Sequence, residues 1–269
     1  MKFIIETGIF EDREKALITA ASEKGHEVET VFNPRPFMDD VPTQNSDTPI
    51  FFYGSLNVAK RLLRRKDTAG SVFLDLPKFE CSSYYNTPWL KHLLNRDCLF
   101  IPYENLIHQK ELLFHTFGKD NCIFIRPSSG DKVFTGQLVD DKTYKEDIDY
   151  LSFYMDDIHK PLCVVSSPKV INKEYRFFIS EDKVITGSSY TDDYQYQEID
   201  TNHPASKYVQ DIVHDAYHKN YAPQILYVVD IAETSTGFKV LELNSASCSA
   251  IYACNPNKIV DTINNLYKN

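Results

Sequence analysis

The sequence predicts an α/β segment followed by an α+β region of antiparallel hairpins mixed with helices. Two observations carry this. Over the first hundred residues short apolar runs alternate with amphipathic stretches, whereas beyond them strand-like runs come in pairs around polar turns. The change of pattern places a boundary near residue 100, with an N-terminal α/β domain over 1–99 and a second domain over 100–269. A chain of 269 residues is long enough for two packed cores.

In order, Phe3 to Ile9 is expected as a strand, Asp12 to Lys24 as a helix ended by Gly25, and Val28 to Phe32 as a second strand. Pro34, Pro36, Pro42 and Pro49 mark a loop before the strand Ile50 to Tyr53. Ser55 then caps a helix from Leu56 to Lys66, and Ser71 to Leu76 resembles a further strand. A helix is expected around Trp89 to Asn95, with Trp89 as a core or interdomain anchor. Cys122 to Arg126 and Lys132 to Val139 form strands joined by Pro-Ser-Ser-Gly-Asp, Asp147 to Met155 a helix, and Leu162 to Ser166 a strand. Tyr175 to Ser180 and Lys183 to Ser188 alternate as a hairpin around Glu181-Asp182, and Pro204 to Lys219 is helical. Ile225 to Ala232 and Phe238 to Leu243 make the last hairpin, before a helix that opens at Pro256, where proline suits the first turn.

Composition narrows the class of partner. A net charge of −9 argues against an extended nucleic-acid or anionic-membrane footprint, while a small anionic ligand stays allowed. No apolar stretch approaches the roughly 18–20 residues of a membrane helix. The opening KFIIETGIF is too brief for a secretion signal, so a cytoplasmic location is expected. The six cysteines are scattered without CxxC spacing, so they are expected as reduced core residues, Cys248 and Cys254 included.

Three stretches carry chemistry. In ILYVVDIAETSTGFKVLELN a turn centred on Thr236 sets Asp230 opposite Glu242, and alternation puts Asn244 on the same polar face. Facing like charges cost something of order 0.2–1 kcal/mol, so a bound cation explains them, and two carboxylates with an amide oxygen suit Mg²⁺. A plain charged sheet face gives the same pattern. In IFIRPSSGDKVFTG, Arg126 ends an apolar strand, Ser128, Ser129 and Gly130 form a small-residue turn, and Lys132 opens the next strand. Hydroxyls and backbone N–H groups there are able to cradle phosphate, with the two cations neutralising it, although the GxxxxGK[ST] spacing of a Walker loop is absent. In EYRFFI, Glu174 and Arg176 share one strand face. They make either a surface ion pair or a working pair, Glu174 accepting from ribose hydroxyls and Arg176 reaching a phosphate or a developing oxyanion.

Together these residues resemble the ATP-grasp superfamily over roughly residues 100–269. The stretches RPSSGDKVFTG, EYRFF and LELNSAS are similar to a divergent clade of phage and bacterial ATP-grasp proteins related to the eukaryotic cell-division-cycle protein that assists translation-initiation-factor assembly. The resemblance implies two lobes with ATP and Mg²⁺ held between antiparallel sheets, behind an N-terminal α/β domain that helps bind the acceptor. It assigns Arg126 to the usual phosphate-binding lysine position, Ser128, Ser129, Gly130 and Lys132 to the phosphate loop, and Val165 and Ser166 to the adenine hinge. Glu174 falls at the ribose position, and Asp230, Glu242 and Asn244 at the Mg²⁺ positions. Several peptide-forming members carry an arginine two residues before the magnesium aspartate. This chain has Val228 there, and Arg176 on a neighbouring strand is the candidate replacement for its catalytic charge.

The function implied is an ATP-dependent carboxylate–amine ligase working through an acyl phosphate on a peptide or protein. A phosphotransferase, or a nucleotide-dependent assembly factor with little turnover, are the alternatives. Two further features stand apart from the motifs. His214 and His218 lie four residues apart on one helix, the spacing of a metal pair, although an exposed helix face gives the same pattern and HExxH is absent. Tyr190 to Tyr196, with Asp192 and Asp193, is expected as a loop over the nucleotide.

Overall fold

The computed structural model of the chain describes residues 1–10, 13–32, 48–66, 68–131, 133–152, 161–190 and 195–268. It begins with β1 (Lys2–Glu6), α1 (Glu14–Glu23), β2 (Glu27–Val31), β3 (Ile50–Tyr53) and α2 (Leu56–Leu63). Next come α3 (Leu76–Phe79), α4 (Cys81–Tyr84), β4 (Cys98–Pro102), α5 (Tyr103–Leu106), α6 (Lys110–Phe117), β5 (Cys122–Pro127), β6 (Gln137–Asp140), α7 (Tyr144–Ser152) and β7 (Leu162–Ser166). The last stretch holds β8 (Lys173–Ser180), β9 (Lys183–Tyr190), β10 (Gln197–Ile199), α8 (Pro204–His218), β11 (Leu226–Thr234), β12 (Gly237–Ser245) and α9 (Pro256–Leu266). Contacts gather these into two compact units, both discontinuous: residues 1–75, 173–231 and 243–269 form one, and residues 76–172 with 232–242 the other.

The first unit is built on two sheets. A parallel sheet of order β2-β1-β3 is followed in sequence by a five-stranded sheet of order β10-β9-β8-β11-β12, whose residues 232–242 are grouped with the second unit. The central strand β1 carries an unbroken apolar run because both its faces are covered. Leu17, Ala20 and Ala21 form the apolar stripe of α1, at the spacing that one helical face requires. These residues share a core with Phe51 of β3, Phe178 of β8, Leu226 and Val228 of β11, and Ile259, Val260 and Ile263 of α9. The start and end of the described chain are thus parts of one hydrophobic cluster. On the other face of the larger sheet, Tyr175 meets His203 at the N-terminus of α8, whose buried stripe includes Val209, Ile212, Val213 and Ala216.

The second unit centres on an antiparallel sheet of order β4-β7-β5-β6. Alternation along β5 buries Ile123 and Ile125 in a core with Leu113 of α6, Ile148 of α7, and Cys163 and Val165 of β7. Arg126 and Val164, directly paired, lie on the opposite face with Phe124 and Ser166.

Local signals hold where short-range chemistry decides. Ser55 accepts from the Val58 N–H at the head of α2, Pro256 sits in the first turn of α9 with Asn255 as its cap, and the β8–β9 turn is Glu181-Asp182. Strand β1 stops at Glu6, before Gly8 turns the chain with φ 80° and donates to the Glu14 carboxylate. Two expected strands change. Residues 72–75 form no strand, because the N–H of Phe73 donates to the Ser247 hydroxyl and its carbonyl accepts from Ser245 Oγ, in place of a neighbouring strand. The strand expected over Lys132 to Val139 shortens to Gln137–Asp140: Phe134 turns into the core, and Gly136 lies against the Phe124 ring and the Arg126 Cβ, where a side chain does not fit. The helix expected around Trp89 is a 3₁₀ turn over Pro88–His92, capped by Thr87, and Trp89 is fully buried. Strands β4 and β10 and helices α3, α4, α5 and α6 are not among the elements the sequence predicts. The proline loop, the end of the helix expected to reach Met155, and Asp192 and Asp193 lie outside the described residues. Among the described residues, no helix is long and apolar enough to cross a membrane.

Gly187 of β9 stands directly opposite Phe177, and an added Cβ would collide with that ring. Gly187→Ala is therefore expected to destabilise the protein by about 1–3 kcal/mol through overpacking. Gly70→Ala, in open space at an ordinary φ, is expected to stay within about 0.5 kcal/mol of the parent. Urea-unfolding midpoints check both, and equal midpoints would refute the steric account.

Candidate functional site

In the second unit the site begins at Arg126, one residue before the end of β5. Its Nη2 donates to Glu242 Oε2 at 2.7 Å and its Nη1 to the Leu241 carbonyl at 3.4 Å. Both side chains are largely covered, 16% and 18% exposed, so the pair is screened less than a surface contact. An anion approaching Arg126 would meet a guanidinium already engaged with a carboxylate. Beside it, burial pushes up the Cys81 thiol, against the charge of Arg126, and Cys81 Sγ lies 3.2 Å from the Tyr84 hydroxyl.

The loop after β5 is tightly used. The Ser128 N–H donates to the Leu162 carbonyl, its own carbonyl accepts from the Cys81 N–H, and its hydroxyl accepts from the Ser82 N–H. Ser128 thus supplies acceptors to the first N–H groups of α4, the partners a helix start lacks. Ser129 Oγ accepts from the Asp131 N–H, closing a local turn, and Gly130 passes close to Phe79. Lys132 lies outside the described residues. Val165 turns its side chain into the core, whereas Ser166 points to the face of Arg126. The Ser166 hydroxyl is fully enclosed and has no hydrogen-bond partner among the described residues, a state that costs about 1–3 kcal/mol unless a partner arrives.

In the first unit the centre is Arg176 of β8. Its Nε and Nη2 grip the two oxygens of Asp230 on the adjacent strand β11, at 2.8 and 2.7 Å, and its Nη1 donates to the Ala250 carbonyl at 3.1 Å. Asn244 of β12 donates from Nδ2 to Asp230 Oδ2 at 2.9 Å. The side chains of Arg176 and Asp230 are 8% and 1% exposed, so this is a buried, bidentate, charge-assisted pair. The guanidinium also sits 4.6 Å from the Tyr252 ring centroid. Tyr252 stacks on Tyr196, and the Arg13 guanidinium lies over the Tyr196 ring at 3.8 Å from its centroid. Two residues before Arg176, Glu174 pairs across the ladder with Tyr190. Burial raises the Tyr190 phenol well above its ordinary value, and the charges of Asp230 and Glu174 raise it further, so it stays protonated and hydrogen-bonds Glu174.

The carboxylates expected to repel one another are each neutralised by an arginine, Asp230 by Arg176 and Glu242 by Arg126. Side-chain oxygens of Asp, Glu and Asn remain the hard donors that Mg²⁺ prefers. Glu242 is the more accessible of the two acids. For Asp230 to serve a cation, part of its contact with Arg176 or Asn244 has to be exchanged. The sequence did not mark Tyr252, whose backbone takes φ 49°, or the roles of Tyr190 and Arg13, because loop stacking leaves no periodic signal. All six cysteines are free. Burial raises the Cys248 thiol to about 12 and that of Cys254 further still, so neither is a ready thiolate.

Arg176→Met strands the Asp230 charge inside the fold and is expected to lower stability by about 3–5 kcal/mol. Adding Asp230→Leu is expected to recover most of that loss. Urea unfolding of the two single variants and the double variant measures the coupling, and simple additivity would show that the two side chains do not act as a pair.

No curated protein matches the chain. Among solved structures it is similar to D-cycloserine synthetase DcsG, with a TM-score of 0.71 at 8% identity over 99% of both chains. It is also similar to D-alanyl-alanine synthetase A from Vibrio cholerae O1 biovar eltor str. N16961, with a TM-score of 0.63 at 13% identity over 100% of this chain and 99% of that one. A third is the ATP-grasp ligase PsnB complexed with a phosphomimetic variant of its minimal precursor, Mg and ADP, with a TM-score of 0.58 at 15% identity over 97% and 96% of the two chains. At such identities these likenesses speak for the fold. The family described as ATP-grasp domain, R2K clade family 2, matches residues 107–262, and these include Arg126, Arg176, Asp230, Glu242 and Asn244. The chain has the ATP-grasp fold and belongs to the ATP-grasp superfamily, in R2K clade family 2.

Proposed function

We propose that the chain is an ATP-dependent carboxylate–amine ligase acting on a peptide or protein. The observation that carries this reading is the pair of covered guanidinium groups, Arg126 and Arg176, each fixed by a carboxylate, while the thiols beside them are pushed up by burial. Such a set neutralises and positions charge and offers no activated side-chain nucleophile. Relatives in fold support the substrate class, since one solved structure is of the ATP-grasp ligase PsnB complexed with its precursor peptide PsnA2 and another is of a D-alanyl-alanine synthetase A.

In the proposed reaction a substrate carboxylate oxygen attacks the γ-phosphorus of ATP, and the bond to the leaving ADP breaks. The amine nitrogen then attacks the acyl carbon, gives up a proton to solvent, and inorganic phosphate departs. Arg126 neutralises charge on the phosphates, with Ser128, Ser129, Gly130 and Lys132 shaping the loop beside it. Ser166, through its enclosed hydroxyl, and the neighbouring Val165 of the same strand border the adenine site, and Glu174 accepts from ribose hydroxyls. Arg176 stabilises the tetrahedral oxyanion, held ready by Asp230. Asp230, Glu242 and Asn244 would hold Mg²⁺, which supplies Lewis-acid neutralisation of the phosphates; Glu242 and Asn244 stand two apart on β12 and so project to one face.

Mg-ATP at about 100 times its dissociation constant is expected to stabilise the protein by about 2.7 kcal/mol, a rise of roughly 5–10 °C in Tm for a chain of this size. A flat melt would remove nucleotide from the account. Arg126→Ala is expected to weaken nucleotide affinity measured by calorimetry. Glu242→Gln is expected to cut Mg²⁺-dependent ADP formation on the order of 10²–10³-fold, with a modest loss of stability because Arg126 loses its charged partner. Superimposable Mg²⁺ titrations of parent and variant would exclude Glu242 as a ligand. Mass analysis of products separates the chemistries: an amide plus phosphate supports ligation, and a stable phosphorylated acceptor overturns it.

A further inference from the structure

We propose that Asp182, His214 and His218 form a binding site for a borderline divalent metal ion, Zn²⁺ by ligand chemistry, that clasps the β8–β9 turn to the last turn of α8. The two histidines stand at i and i+4 on α8 and their rings lie 4.3 Å apart. His214 Nδ1 is 3.2 Å and His218 Nε2 is 3.3 Å from the same oxygen, Asp182 Oδ2, and the three candidate ligand atoms all lie within 4.8 Å of one another.

The distances suit a bound metal as well as they suit a hydrogen-bonded cluster. An N–H···O bond is most often about 2.9–3.0 Å long. A tetrahedral Zn²⁺ with bonds of about 2.0–2.1 Å sets its ligand atoms roughly 3.3–3.4 Å apart, the edge of the tetrahedron. The two observed separations lie at or next to that edge. Two imidazoles and one carboxylate are also the donor set that suits a borderline ion, and they leave a fourth position for water.

The surroundings hold this geometry in place. Gln210, one turn before His214 on the same helical stripe, clamps the hairpin turn from both sides: its Nε2 donates to the Asp182 carbonyl at 2.6 Å and its Oε1 accepts from the Val184 N–H at 2.9 Å. Glu181, at φ 54°, makes the turn tight, and its N–H donates to the Ile225 carbonyl at 2.7 Å. The Asp182 side chain is thereby presented to the helix by its backbone. Both histidines also lie near the C-terminal end of α8, where the helix dipole favours a cation. None of the three ligands belongs to the proposed nucleotide site, and the histidines are 59% and 54% exposed, so the ion would serve as a structural staple or as an open site for an outside ligand.

The test uses the full chain freed of metal with a chelator, and Zn²⁺ alone as the probe. Calorimetry is expected to show one ion bound by the parent that the His214→Ala/His218→Ala variant lacks. Gln210→Ala, which touches only the support, is expected to weaken binding about 10–100-fold. The histidines are exposed, so the double variant should fold, which circular dichroism verifies. Independently of any variant, Co²⁺ added to the parent is expected to give the strong visible absorption of a four-coordinate site without a thiolate charge-transfer band. Equal Zn²⁺ stoichiometry and affinity in parent and double variant, no binding by the parent in the micromolar range, or a thiolate band with Co²⁺ would each overturn the proposal.

Discussion

The bidentate contact between Arg176 and Asp230 sets the terms for the first unit. Burying both charges exacts a desolvation cost that hydrophobic replacements would avoid, so stability alone does not account for the pair. It joins β8 to β11, reaches β12 through Asn244 and the following segment through the Ala250 carbonyl, and places a guanidinium against Tyr252. The fold itself thus fixes a guanidinium in position.

The parts legible in the sequence were those governed by neighbours. The Ser55 cap, the proline at the head of α9, the Glu181-Asp182 turn and the pairing of β11 with β12 follow from rules that act over a few residues. The segments that changed are governed from afar. Phe73 is satisfied by serines more than 170 positions away, and Gly136 is shaped by a ring and a stem on another strand. The candidate site divides in the same way. Composition and alternation picked out Asp230, Glu242, Arg126 and Arg176 one by one. The partners that neutralise them come from 54 and 116 positions away, and no local pattern encodes that pairing. The sequence therefore showed a charge conflict on one hairpin, and the fold resolves it with arginines.

The serines of LELNSAS show how one motif can do two jobs. Asn244 faces the ion pair, while Ser245 and Ser247 tie the chain to Phe73 and the Ser247 carbonyl accepts from the Gly54 N–H. The end of β12 is thus anchored to the N-terminal α/β part on one side of Asn244 and continuous with the Glu242 strand on the other. Similarity of fold at 8–15% identity is compatible with this, since backbone placement needs few specific residues and chemistry resides in the site.

The order in which the chain leaves the ribosome acquires meaning from the shared core of the first unit. Phe3, Ile5 and Phe51 are synthesised early, yet the cluster that buries them is closed by Ile259, Val260 and Ile263. Closing a loop of that length before its contacts form is slow, as for other folds rich in distant contacts. The core of the second unit, by contrast, draws on residues between Leu99 and Val165 and needs no later segment. Until Ile259, Val260 and Ile263 are made, the apolar residues of β1 and β3 lack part of their cover, a state in which exposed apolar surface favours aggregation.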